Sequence, residues 1–182
     1  MDNKIKFVEF PVIETDRLKL RLITKKDSRD LFSILSSEEV MEYYGAYPMR
    51  DISQAEVLIE KFKTSFEMSN GVRWGIEIKG TNKIIGTCGF HNWNKKHYRA
   101  EIGYELNDGF WRQGYGEEAV LAAIKYGFNE MNLVRIEAVV YPENIASENM
   151  LKKMCFAYEG LLRKYAFFRD KYQDLNMFSI VK

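Results

Sequence analysis

Apolar and polar residues alternate strictly through Arg17-Leu18-Lys19-Leu20-Arg21-Leu22, which predicts a half-buried strand. Thr24 followed by Asp27 is a capping box and opens a helix through about Ser36. Ser53 with Glu56 is a second box, after which Leu58, Phe62 and Phe66 recur every fourth position and form one apolar helical face. Asn70-Gly71 ends that helix, with Gly in a C-terminal role. Val72 to Ile78 and Lys83 to Phe90 read as two strands joined by a turn at Gly80-Thr81-Asn82. A further strand covers Ala100 to Leu106, and a glycine turn then leads into a helix ending near Glu130. Leu133 to Tyr141 alternates again, with Ile136, Ala138 and Val140 on one face. A helix from about Ser147 to Lys153 follows, then extended segments at Tyr158 to Phe168 and Asp174 to Val181. This order predicts an α+β (α/β layered) domain spanning residues 1–182. Its sheet is mixed but mostly antiparallel, flanked by helices, with a parallel pair in the centre.

Composition narrows the function classes. The 27 basic and 26 acidic side chains nearly cancel, so neither nucleic acid nor a membrane surface is expected as the main partner. Residues 1–7 show no apolar leader, and no stretch reaches transmembrane length. Cys88 and Cys155 lie far apart and lack metal spacing, as expected of reduced packing residues in a cytoplasmic protein. His91 and His97 lack the spacing of a zinc helix, so no metal is expected.

The candidate chemistry begins at Phe110-Trp111-Arg112-Gln113-Gly114-Tyr115-Gly116-Glu117-Glu118. A strand, a tight glycine loop and a helix in that order make an anion site, because the first N–H groups of the helix have no internal partner. The ligand indicated is a diphosphate-bearing cofactor. A P-loop needs Gly-Lys-Ser/Thr, whereas Gly116 precedes Glu117 and Glu118. A dinucleotide fold needs a nearly continuous apolar strand before the loop, which Glu101 and Glu105 interrupt. A second informative stretch runs from Asn144 to Phe156, where a strand gives way to a helix. There Asn144 can cap the helix or serve a ligand.

Taken together these residues resemble the GNAT superfamily of acetyl-CoA-dependent N-acetyltransferases. The loop Trp111-Arg112-Gln113-Gly114-Tyr115-Gly116 is similar to that family's Arg/Gln-x-x-Gly-x-Gly/Ala, and Asn144, Ser147, Lys153 and Phe156 match its later motif. Glu14-Thr15-Asp16-Arg17-Leu18-x-Leu20-Arg21, Glu101-Ile102-Gly103-Tyr104, Phe156-Ala157-Tyr158-Glu159-Gly160 and Tyr172-x-Asp174 narrow the resemblance to the branch of ribosomal-protein N-terminal acetyltransferases. Two positions where that branch carries glycine hold Arg112 and Cys155 instead.

The resemblance implies a central sheet of about seven strands whose parallel pair splays at the CoA site. It implies acetyl-CoA as cosubstrate, with the diphosphate on backbone N–H groups of Gln113, Gly114, Tyr115, Gly116 and Glu117. Arg112 either reaches a phosphate or lies in solvent. Leu106 would polarise the thioester carbonyl, Asn144 would order the pantetheine arm, and Lys153 (with Lys152 on a solvated face) is a candidate for the 3′-phosphate. Glu101 is the candidate base, with Glu105 on the same face as the lesser one. Ser147 is the candidate acid, with Tyr141 or Tyr158 as substitutes. Ala166 stands where ribosomal enzymes carry a second glutamate, and Asp174 either organises the acceptor or ends a turn. Tyr43, Tyr44, Tyr47, Trp74, Trp93 and Phe167 are aromatic candidates for an acceptor wall. The implied acceptor is a protein N-terminal α-amine; a small amine (polyamine, amino acid or aminoglycoside-like) is the alternative. A non-catalytic acetyl-CoA sensor is the alternative of a different class. The family analogy implies a monomer or a homodimer.

Overall fold

A computed structural model describes residues 9–182; the reading of residues 1–7 lies outside the described residues. Eight strands form one sheet in the order β1-β2-β3-β4-β5-β6-β8-β7. In chain order these are β1 (Ile13–Glu14), β2 (Leu18–Leu22), β3 (Val72–Ile78), β4 (Ile84–Asn94), β5 (Arg99–Leu106), β6 (Arg135–Val140), β7 (Ala157–Phe168) and β8 (Lys171–Val181). The expected seven become eight because two-residue β1 adds an edge too short to show in any periodicity.

The helices are α1 (Ser28–Leu35), α2 (Glu38–Met41), α3 (Ile52–Glu67), α4 (Tyr115–Asn129) and α5 (Ile145–Lys153). The Thr24–Asp27 capping box is present, with one 3-10 turn inserted before α1. The second box is shifted: Asp51 caps α3 and Gln54 answers it, in place of Ser53 and Glu56. Two overlapping boxes fit this stretch, and the structure uses the earlier one. The end of α3 also differs from expectation, since Ser69 rather than Gly71 takes the left-handed conformation, φ +54°. Gly71 is needed for another reason, because a Cβ there would collide with the Phe90 carbonyl of the neighbouring strand. Short α2, capped by Ser37, has no periodic signature and was not expected.

α4 and α5 cover one face of the sheet. Trp74, Phe90, Ile102, Val120, Ile136, Leu151 and Phe178 pack into one core there. The second face is covered over β2–β4 by α1–α3, where Leu31, Ile34, Leu35 and Ile59 meet Ile23 and Ile84. Burial of these apolar side chains, at about 25 cal/mol per Å², is the main force holding the layers together.

One pair of strands, β5 and β6, is parallel, and its pairing is brief: Arg99 with Arg135, Ala100 with Ile136, Glu101 with Glu137. Beyond Glu101 each strand keeps only its outer partner. β5 stays on β4 as far as Leu106, and β6 stays on β8 as far as Val140. The sheet therefore opens at its centre, as the resemblance implied.

Candidate active site

The opening between β5 and β6 exposes strand edges inside the sheet. Asn107 donates its N–H to Ile85 of β4, at 2.8 Å. Backbone groups alternate in direction along a strand, so those of Leu106 and Tyr104 face away from β4 and into the opening. The Leu106 carbonyl accepts from Trp111 Nε1 at 2.7 Å, which ties the start of the loop to the end of β5. The Leu106 N–H is thus an oriented donor at the mouth of the gap.

The glycine loop follows at once. Arg112 has φ +60° and Gly114 φ +79°, and α4 starts at Tyr115. Glu118 is the residue whose N–H reaches back to the Gly114 carbonyl, at 3.1 Å. The N–H groups of Tyr115, Gly116 and Glu117 belong to the unsatisfied first turn, at the positive end of the helix dipole. The loop and the opened strands therefore fit a diphosphate-bearing, strand-like ligand. Lys153 Nζ lies 2.6 Å from Glu117 Oε2, so α5 is joined to this helix start by an exposed ion pair.

Arg17 and Glu118 complete the loop, and sequence reasoning missed both. The Glu118 carboxylate accepts from Thr15 Oγ1 at 2.6 Å, from the Arg17 N–H at 2.9 Å and from Arg17 Nε at 2.6 Å. Arg17 also donates to the Gln113 carbonyl at 2.9 Å and lies 4.5 Å from the centre of the Tyr115 ring. Burial pushes the Glu118 carboxyl up, but these donors hold it below its usual range. The two residues stand 101 positions apart, so no local spacing could have paired them.

Across the gap, Ser147 of α5 shares a 2.6 Å hydrogen bond with the Tyr104 hydroxyl of β5. Asn144 Oδ1 accepts the Ser147 N–H at 3.1 Å, so the helix-capping reading of Asn144 holds in the structure. Burial pushes the Tyr104 hydroxyl up to about 12, against the pull of Ser147. Ser147 is thus partnered by Tyr104. Tyr141 faces Tyr43 at 6.1 Å and Tyr158 packs on Phe178 at 5.4 Å.

On the opposite face of β5, Glu101 and Glu105 separate in character. Glu105 is buried, engaged by Arg73 and by Thr87 Oγ1. Burial raises its carboxyl above the usual range, and Arg73 opposes this. Glu105 is a sealed structural group. Glu101 lies 3.0 Å from His91 Nε2 and accepts from Asn92 Nδ2 at 3.1 Å. Burial raises Glu101, but His91 and Asn92 outweigh it and leave the carboxyl below its usual range.

The aromatic candidates divide. Trp74 and Trp93 are buried in the core. Half-buried Tyr44 is raised by the Glu105 charge and by burial. Tyr43 meets Tyr141, and Tyr47 meets Phe168 at 5.1 Å, joining the segment after α2 to the opposite rim of the opened sheet. Phe167 meets Tyr172 edge to face on the β7–β8 hairpin. Asp174 accepts the Lys164 N–H at 2.7 Å and fastens a bulge in β7. Cys155 follows α5 with φ +66°, so the turn keeps the left-handed shape without glycine. Among the described residues no group of three or more His, Cys, Asp or Glu could hold a metal ion, and no helix is long and apolar enough to cross a membrane.

Residues 17–157 match the family model described as an acetyltransferase (GNAT) domain. The chain is 45% identical over 173 residues to the uncharacterized N-acetyltransferase YoaA of Bacillus subtilis, covering 95% of this chain and 98% of that one. A GNAT-family acetyltransferase of Bacillus anthracis superposes with TM-score 0.83 at 27% identity, covering 94% of this chain and 98% of that one. More distant relatives are named for different acceptors. One is a putative ribosomal N-acetyltransferase, YdaF of Bacillus subtilis, at 23% identity over 92% of each chain. Another is a spermidine N(1)-acetyltransferase of Escherichia coli at 24%, over 86% of this chain and 82% of that one.

Proposed function

Because this chain belongs to the GNAT family of acetyl-CoA-dependent N-acetyltransferases, we propose that its acceptor is the α-amine of a protein N-terminus, met in the cytoplasm. The observation that carries the acceptor choice is the state of the carboxylates on the Glu101 side of the sheet. Glu105 is held by Arg73, Glu137 by Arg99 and Arg135, and Glu159 by Arg135, while His91 and Asn92 hold Glu101. A polyamine carries several charges and needs free carboxylates along its length. A face on which these four acids are already engaged suits an acceptor with a single ammonium and a neutral chain behind it. The aromatic pairs Tyr43–Tyr141 and Tyr47–Phe168 offer that chain apolar contact.

Bound acetyl-CoA supplies an activated thioester carbonyl. The residues that would hold it are Gln113, Gly114, Tyr115, Gly116 and Glu117 through their backbone. Arg112 stands beside them, Asn144 across the gap, and Lys153 reaches in against the competing pull of Glu117. The Leu106 N–H is the donor aimed at the carbonyl oxygen. Glu101, which precedes Leu106 by five residues on β5, takes through water the proton that the amine must lose; an α-amine titrates near ~8 and a lysine near ~10.4, so the α-amine needs less help. Ser147, held by Tyr104, delivers a proton to the departing sulfur.

The test is thiol release from acetyl-CoA with N-terminal peptides, spermidine and amino acids side by side. Peptides should give the highest kcat/KM. Faster turnover of spermidine overturns the acceptor choice, and CoA binding without release for any acceptor overturns catalysis in favour of a sensor.

A further inference from the structure

We propose that His91 is the proton-relay residue of this enzyme, taking from Glu101 the proton that the acceptor amine has lost and releasing it to solvent. This rests on the reading of Glu101 as the base. His91 and Glu101 are direct cross-strand neighbours on β4 and β5, and Nε2 stands 3.0 Å from Oε1. The fold makes room for the ring. A Cβ at Gly103 would lie 3.3 Å from His91 Cε1, tighter than ordinary contact, so the imidazole is seated over a position without a side chain. The Glu101 side chain is 14% exposed and that of His91 47%, so the pair runs from the interior of the face to water.

The alternative way out is closed. Glu105, the next acid on the same face, has its oxygens engaged by Arg73 and Thr87. The charged groups facing this pair are Arg73 of β3, Glu105 and Arg99 of β5, and Glu137 of β6 in register with Glu101. Asn92 holds the second Glu101 oxygen at 3.1 Å and fixes the carboxylate plane toward His91. With its second oxygen held by Asn92, the carboxylate has the half-exposed imidazole 3.0 Å away as the group within reach to take the proton on to solvent.

The balance is complete without another reactant. The amine nitrogen forms a C–N bond to the acetyl carbon as the C–S bond breaks. One N–H proton passes through water to Glu101, and from Glu101 to His91 Nε2 in the tautomer protonated on Nδ1. The imidazolium so formed gives one proton to water and regains the Nδ1–H tautomer by exchange with solvent. The sulfur takes its proton from the Ser147 side, and Ser147 regains one from solvent. His91 touches no substrate atom and acts through Glu101.

The experiment compares His91→Gln, His91→Ala and Glu101→Gln by pH–rate profile, using the peptide acceptor on which the wild type is active. Glutamine keeps an amide donor for Glu101 but accepts no proton. The expected result is a fall of about tenfold in kcat/KM for His91→Gln, an acid limb made shallower by one deprotonation, and unchanged CoA affinity. Added imidazole should restore His91→Ala in proportion to its concentration and leave Glu101→Gln unrestored. A His91→Gln profile that overlays the wild type overturns the relay. If Glu101→Gln is slow in the same series, the base assignment stands; if it also matches the wild type, both fall together.

Discussion

Arg17, in the turn just before β2, and Glu118 of α4 meet through two parallel contacts: the Arg17 N–H to Oε1 at 2.9 Å and Nε to Oε2 at 2.6 Å. The guanidinium then reaches the Gln113 carbonyl, so the turn before β2 braces the loop proposed to hold the diphosphate. Glu118→Gln keeps the size and removes the charge. If the loop holds the donor as proposed, the substitution should weaken acetyl-CoA binding by about tenfold with a smaller change in kcat. Calorimetric titration with CoA measures this, and equal affinity in the variant would show that the loop holds its shape unaided.

Glu101→Gln should reduce turnover about 10²-fold or more, most severely at low pH, where the amine is protonated and a base matters most. As pH rises and the amine deprotonates in solution, the deficit should shrink. A deficit that is constant across pH would assign Glu101 a binding role instead.

Tyr104→Phe and Ser147→Ala remove opposite ends of one 2.6 Å hydrogen bond. If Ser147 delivers its proton through that bond, the double variant should be hardly slower than the worse single one. Independent, multiplicative losses in kcat would mean that the two hydroxyls act separately.

Cys155 holds φ +66°, a conformation that costs an L side chain about 1–2 kcal/mol and glycine far less. After subtracting glycine's larger loss of chain entropy, Cys155→Gly should stabilise by roughly 0.5–1 kcal/mol, while Cys155→Ala gains nothing. Urea unfolding of the three proteins decides it. Arg112, at φ +60°, should show the same trend unless its guanidinium holds a phosphate, in which case Arg112→Gly gains stability and loses CoA affinity.

The Arg135–Glu159 pair gives a pH signature. Arg135 and Ser179 lower the Glu159 carboxyl from 4.5 to about 2. A depressed folded-state value means the contribution is fully present above about 4.5 and is lost as pH falls toward 2. The stability difference between wild type and Glu159→Gln should be flat at neutral pH and close in that acidic window. A difference that persists at pH 2 would rule out the charge as its source.

Much of this protein was legible in the order of its residues. The alternation of Arg17 to Leu22, the boxed start at Thr24 and the glycine turn at Gly114 are local signals, because each depends on neighbours within a few positions. The same holds for the loop and for the Asn144–Ser147 stretch, which together identified the donor. The sequence placed Glu101 and Glu105 on one face, since side chains alternate along a strand. It could not say that Arg73 and Thr87 would seal one while His91 kept the other in touch with water, because those partners come from other strands through register. The Arg17 brace and the Tyr104 partner of Ser147 arise in the same way, across 101 and 43 positions. Chain chemistry determined which cosubstrate this fold takes. The packing of distant strands decided that Glu105 is sealed and that Glu101 stays beside half-exposed His91, because burial and cross-strand contact exist only once the sheet is assembled.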